Sequence, residues 1–212
     1  MRIIKSLVFT VALMFGSVAN ANIMVWLDPV VQAPVNTGDD ISLKIMIGGL
    51  GDNSPLSLGT FDLDVLFDAS QLSFTGYNLF DGLGDLSLFD AFDFSGGEYL
   101  PGAINFYETS NLSVFELDSL QADTFALAEL FFHVDALNSG ESSWLSLVGN
   151  RFGDADGFFL DVAMGDDAVL YGDPVVSAPA PLTLLGLALI TMYIRQNKTQ
   201  LVHKFTTLQK RN

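Results

Sequence analysis

Phe61-Asp62-Leu63-Asp64-Val65-Leu66-Phe67-Asp68 is the stretch whose reading decides the fold. Phe61, Leu63, Val65 and Phe67 share one parity, and Asp62, Asp64 and Asp68 share the other. Successive side chains of a strand point to opposite faces, so this alternation predicts a strand with one face in a core and the other in water. Ile41 to Ile47 repeats the pattern through Ile41, Leu43, Ile45 and Ile47. Ile23–Leu27, Leu72–Tyr77, Ala103–Tyr107, Phe125–Val134, Trp144–Val148 and Ala168–Tyr171 are further strand candidates. Phe125–Val134 can also be drawn as a helix, since Ala, Leu and Glu favour one. The pair Phe131-Phe132 and the shared parity of Phe125, Leu127 and Phe131 favour a strand. Turn clusters separate these segments, among them Asn36-Thr37-Gly38-Asp39, Gly48-Gly49-Leu50-Gly51-Asp52-Asn53, Ser95-Gly96-Gly97 and Gly153-Asp154-Ala155-Asp156-Gly157. About eight or nine short strands punctuated in this way predict an all-β, two-sheet sandwich.

The charge is arranged around that domain. All 25 Asp and Glu lie between Asp28 and Asp173, where the only bases are Lys44 and Arg151, so this stretch carries a net charge of −23. The remaining bases are Arg2 and Lys5 in front and Arg195, Lys198, Lys204, Lys210 and Arg211 behind, each group beside an apolar run. That layout predicts an exported acidic domain between an N-terminal signal and a C-terminal anchor. Leu7 to Phe15 is apolar apart from Thr10, and Ala19-Asn20-Ala21 offers small residues where a signal peptidase reads. Residues 1–21 are thus expected to form a signal peptide, and the mature chain to start at Asn22. The domain is expected over 22–174, a linker over 175–180, a transmembrane or sorting helix over 181–194, and a basic cytoplasmic tail over 195–212. Pro181 to Ile194 makes about 21 Å of helix at 1.5 Å per residue, so it spans a ~30 Å hydrocarbon core only with bilayer thinning or snorkelling.

Composition excludes several classes. The chain has no cysteine, which removes disulfides, thiolate metal sites and a c-type haem. A net charge of −23 removes nucleic-acid binding, which needs a basic surface.

The segment Leu58 to Phe74, built around the alternating strand, resembles the third and fourth strand region of cohesin-like domains, and Val35 to Leu43 resembles that family's turn into its second strand. The likeness covers roughly residues 23 to 171. It implies a jelly-roll β-sandwich akin to carbohydrate-binding modules, with a polysaccharide or a surface protein as partner, dockerin modules being the partners in cellulosomes. The C-terminal Ser177-Ala178-Pro179-Ala180-Pro181, followed by Leu184-Leu185-Gly186-Leu187-Ala188-Leu189, resembles a PEP-CTERM sorting signal, which implies a C-terminal sorting protease as a further partner. Ala180 stands where that motif has Glu, and a mixed tail follows Arg195 in place of a tight arginine cluster.

Candidate chemistry is sparse. Glu98, Glu108, Glu116, Glu129 and Glu141 are the possible proton donors of a glycoside hydrolase, but no pattern singles out a pair. His133 reads as an ordinary strand histidine. Asp154, Asp156 and Asp161 in a glycine-bounded loop could converge on calcium, the one cofactor suggested; Phe158 and Gly165 break the EF-hand pattern there. Phe80, Phe89, Phe92 and Phe94 lie in a loop-like stretch with Tyr99 and Tyr107 close by; such aromatics could stack on sugar rings, but these are expected to plug the core, since Phe lacks the polar handle that suits a wet surface. The function expected is a non-catalytic cell-surface or extracellular-matrix binding module, membrane-anchored or sorted through its C-terminus. The alternative is an envelope enzyme acting on polysaccharide.

Overall fold

The computed structural model describes residues 22–32 and 34–173. The signal peptide, the 175–180 linker, the 181–194 helix and the basic tail all fall outside the described residues. Among the described residues, no helix is long and apolar enough to cross a membrane.

Two sheets stack into a jelly-roll sandwich, as expected. The strands are β1 (Ile23–Asp28), β2 (Asp40–Gly48), β3 (Leu58–Phe67), β4 (Leu72–Leu79), β5 (Ala91–Asp93), β6 (Gly97–Leu100), β7 (Ala103–Ser110), β8 (Thr124–Val134), β9 (Ser142–Asp154), β10 (Val162–Met164) and β11 (Ala168–Tyr171). The first sheet runs β10-β1-β2-β8-β4. The second runs β11-β9-β3-β7-β5, with β6 also paired to β7. All pairings between these strands are antiparallel except β1 with β10. After β1 the chain crosses to the second sheet, where Val31 and Val35 bridge Val169 and Gly172 in parallel. This covers the outer edge of β11, which would otherwise expose unpaired backbone groups.

β3 is central to its sheet and behaves as its alternation dictates. Phe61, Leu63, Val65 and Phe67 are buried, while Asp62 and Asp64 lie half-buried on the outer face. Across the interlayer, Phe67 meets Phe132 edge to face at 5.2 Å, and Phe106 meets Tyr77 likewise at 5.1 Å. Such contacts add specificity to the burial of large apolar area.

Two expectations are corrected, and one element is new. The strand at Phe125–Val134 is real, but its parity is not the one expected. Ile45 pairs with Ala128 and Met46 with Ala126, so Leu127 is the extra residue of a bulge. Beyond the bulge, Leu130, Phe132 and Val134 face inward, and Phe131 lies on the outer side. A bulge inserts one residue and inverts every later assignment.

The second correction concerns the stretch from Asn78 to Gly97, which is not simple loop. It holds short 3-10 turns at Asp81–Leu83 and Leu86–Leu88, and then β5. Its phenylalanines do not plug the core. Leu83 and Ala91 are buried there, whereas Phe89 is 69% exposed and Phe94 57%. Ala91 and Phe92 are neighbours on one strand, so inward Ala91 forces Phe92 outward. Phe89 sits at φ 64, a left-handed conformation that is uncommon for a bulky residue.

The new element is a helix with no counterpart in the sequence reading, α1 (Val114–Leu120). Glu116 Oε2 accepts from Ser113 N at 2.9 Å and from Ser113 Oγ at 2.7 Å. This Ser-x-x-Glu spacing is a helix-start signature.

Candidate functional site

The outer face of the second sheet carries a hydrogen-bonded set of polar side chains. It is built on β3, β7 and β9, whose inward residues hold the core, so their outward residues have fixed positions. Asn105 Nδ2 donates to Asp62 Oδ1 at 2.8 Å and to Asp64 Oδ1 at 2.9 Å. Asn150 Nδ2 donates to the same Asp62 oxygen at 3.1 Å, and Tyr99 OH donates to Asp64 Oδ2 at 3.2 Å. Asn150 takes part because of a second bulge: Asp62 pairs with Arg151 and Leu63 with Gly149, leaving Asn150 as the extra residue. The result is a polar ladder across three strands.

Aromatic side chains border the ladder. Phe92 and Phe94 lie 6.3 Å apart, and Phe94 and Tyr107 5.3 Å. Phe94 N donates to Tyr107 O at 2.7 Å, which pins the end of the excursion to β7. Beside Asn150, the Arg151 guanidinium stacks on Phe159 at 4.9 Å. A cleft of about 230 Å³ opens there, with Asp161, Leu160 and Met164 in its wall. A sheet face of carboxamide, carboxylate and phenol groups with exposed aromatic edges has the mixed polar and aromatic make-up of a macromolecular interface.

Four of the five glutamates are held by hydrogen bonds within the chain. Glu98 accepts from Gly102 N, Glu129 from Ser42 Oγ, and Glu141 from Asn138 N and Nδ2. Ser113 holds the Glu116 carboxyl below its ordinary range by hydrogen bonding, so it stays ionised and is no proton donor at neutral pH. Glu108 is the exception. It points inward from β7, is fully buried, and neither carboxyl oxygen has a hydrogen-bond partner. Burial, reinforced by the charges of Asp93 and Asp81, pushes its pKa up to about 8. It is therefore protonated at neutral pH, but walled off from any substrate.

The three aspartates of the suggested calcium site do not converge. Asp154 Oδ1 accepts from the backbone N of Asp156 at 3.0 Å and of Phe158 at 2.8 Å, so that carboxylate caps its own turn. Asp161 borders the Arg151 cleft. Among the described residues, no group of three His, Cys, Asp or Glu side chains is placed to hold a metal ion. His133 lies on the outer face of the first sheet with Nδ1 2.7 Å from Asp40 Oδ1.

No family model matches the chain, and no curated protein matches it. Solved structures do. The cohesin CaCohA2 of Clostridium acetobutylicum is 17% identical, with a TM-score of 0.55, over 77% of this chain and 97% of its own. A type I cohesin–dockerin complex from Clostridium thermocellum matches at 12% identity and a TM-score of 0.56, over 73% of this chain and 96% of that one. A non-cellulosomal cohesin of the archaeon Archaeoglobus fulgidus matches at 17% and 0.52, over 71% and 90%. The chain therefore has a cohesin-like fold.

Proposed function

We propose that this chain is an exported, non-catalytic module that binds a protein partner through the outer face of its second sheet. The observation that carries the reading is the ladder of Asp62, Asp64, Asn105 and Asn150, pre-organised on rigid strands and bordered by exposed Phe92, Phe94 and Tyr107. Several solved structures of this fold are complexes with dockerins, which supports a protein partner of that kind ahead of a polysaccharide. The scattered structural duties of Glu98, Glu116, Glu129 and Glu141 speak for binding over turnover.

The test presents the full chain, in non-ionic detergent, to a panel of dockerin modules and to a polysaccharide array. The reading expects saturable binding to a protein, without turnover, that is lost in a Phe94→Ser/Tyr107→Ser variant. Hydrolysis of a glycan, abolished by one carboxylate change, would replace it with the enzyme reading. Export belongs to the same proposal: mature protein should begin at Asn22, and deletion of residues 178–212 should release the domain from membranes. A tag placed after Asn212 that parts from the domain in cells would show sorting-protease cleavage.

A further inference from the structure

Two clefts adjoin beside α1, away from the residues of the sheet face. One, of about 300 Å³, is walled by Phe80, Gly82, Phe125 and Ala126, with Ala122 and Leu120 at its side. The other, of about 380 Å³, is walled by Asp81, Asp85, Asp90 and Glu116, with Leu112 and Leu120 also in its lining. Asp81 and Leu120 line both, so the two clefts adjoin at these residues, one mainly apolar and one acidic, and the pair is called the trough. Each cleft is more than large enough for one large side chain.

The trough is held open by the fold. Gln121, buried at its floor, accepts from Leu58 N at 2.6 Å and donates to Leu58 O at 2.7 Å and to Gly82 O at 2.9 Å. That amide ties the end of α1, the start of β3 and the first 3-10 turn together. A Cβ on Gly82 would lie 2.3 Å from the Phe125 ring, so glycine there is what lets the ring form the apolar wall.

Charge selects the occupant. The Asp81 and Asp90 carboxylates accept no hydrogen bond from the described residues, and no base lies among the four acids of that end. Of the domain's two bases, Lys44 stacks over Phe80, a wall of the apolar end, and Arg151 over Phe159, away from the trough, so neither lies among the four acids. A second copy of this chain would bring further negative charge and is repelled. The four carboxylates are too dispersed to share a metal ion. A long basic side chain fits instead, because its methylene stem can lie on Leu112 and Leu120 while its cation reaches the carboxylates.

We propose that this trough docks a basic amphipathic segment of a partner protein, an apolar side chain at the Phe80–Phe125 end and a Lys or Arg at the Asp81–Asp90 end. The proposal rests on the reading of the chain as a protein-binding module and adds a second contact to the sheet face.

The probe is a fluorescein-labelled amphipathic peptide of Leu and Lys, titrated into the full chain in non-ionic micelles and followed by anisotropy. An all-Lys peptide and a Leu/Glu peptide serve as comparisons. Saturable binding of the Leu/Lys peptide is expected, with an Asp81→Asn/Asp90→Asn variant binding about three- to tenfold more weakly. Ala122→Tyr, which fills the apolar half, should weaken binding too, while Asp166→Asn/Asp167→Asn, of equal charge change elsewhere, should not. Thermal melting checks that each variant is folded. Equal affinity for the all-Lys peptide, or equal weakening by the Asp166/Asp167 variant, would reduce the effect to general attraction and overturn the proposal. Absence of saturable binding would do the same. Weakening only by Phe94→Ser/Tyr107→Ser would move the segment to the sheet face, overturning the trough but not the protein-binding reading.

Discussion

Replacing Glu108 by Gln should make the domain more stable at neutral and alkaline pH. The wild-type carboxyl is fully buried with no donor for either oxygen, and Asp93 and Asp81 add repulsion when it ionises. Its pKa is pushed from an ordinary 4.5 to about 8 in the fold. In the folded chain it keeps its proton between those values, while in the unfolded chain it releases it. The unfolded state thus binds fewer protons, and stability falls as pH rises. The contribution is intact below pH 4.5, declines through the interval, and is lost above about 8. At 1.36 kcal/mol per pH unit, the loss is about 3 kcal/mol at pH 7 and about 5 kcal/mol at pH 9. Gln keeps the shape, has no proton to lose, and escapes that decline. At ~2–4 °C per kcal/mol for a domain of this size, Glu108→Gln should melt roughly 6–12 °C above wild type at pH 7. At pH 4.5 the two should nearly coincide. Denaturant titrations of both proteins at pH 4.5, 7 and 9 measure the difference directly. A gap between them that does not grow with pH would refute the argument, since it would mean that the carboxyl is already solvated or paired.

Three further outcomes follow from the same geometry. Phe67→Ala should cost on the order of 3–5 kcal/mol, because it empties a core position that meets Phe132, while Asp64→Asn should cost under about 1 kcal/mol; urea melts compare them. Asp154→Ala should destabilise by about 1 kcal/mol with or without calcium, because the carboxylate caps two amides of its own turn; a calcium-dependent rise in melting temperature that Asp156→Ala removes would instead restore the metal reading. His133 is held above its usual pKa by the Asp40 hydrogen bond, so its contribution is complete below the unfolded value of 6.5 and lost as pH rises through the folded one. Asp40→Asn should lower the His133 titration midpoint, read by NMR of the ring protons.

Much of the fold was legible because it depends on local periodicity. The β3 alternation alone placed Phe61, Leu63, Val65 and Phe67 inside and Asp62 and Asp64 outside, since a period of two leaves a half-buried strand no other choice. What failed was what non-local pairing decides. No feature near Leu127 announces its bulge; only the register against Ile45 and Met46 shows it. The three- and four-residue strands β5, β6 and β10 are too short to carry a period and exist because a longer neighbour offers its edge. The Ser113–Glu116 spacing was a readable signal for α1.

The candidate site divides in the same way. Sequence by itself determined the alternating faces, the acidic domain and its two bases, because these are properties of residue type and order along one chain. It could not determine that Asn105 and Asn150 would meet on Asp62, or that Asp81, Asp90 and Glu116 would face one another across a trough. Nor could it separate Glu108 from the other glutamates. Its raised pKa depends on which sheet covers it and which acids lie near, and burial is a property of tertiary packing.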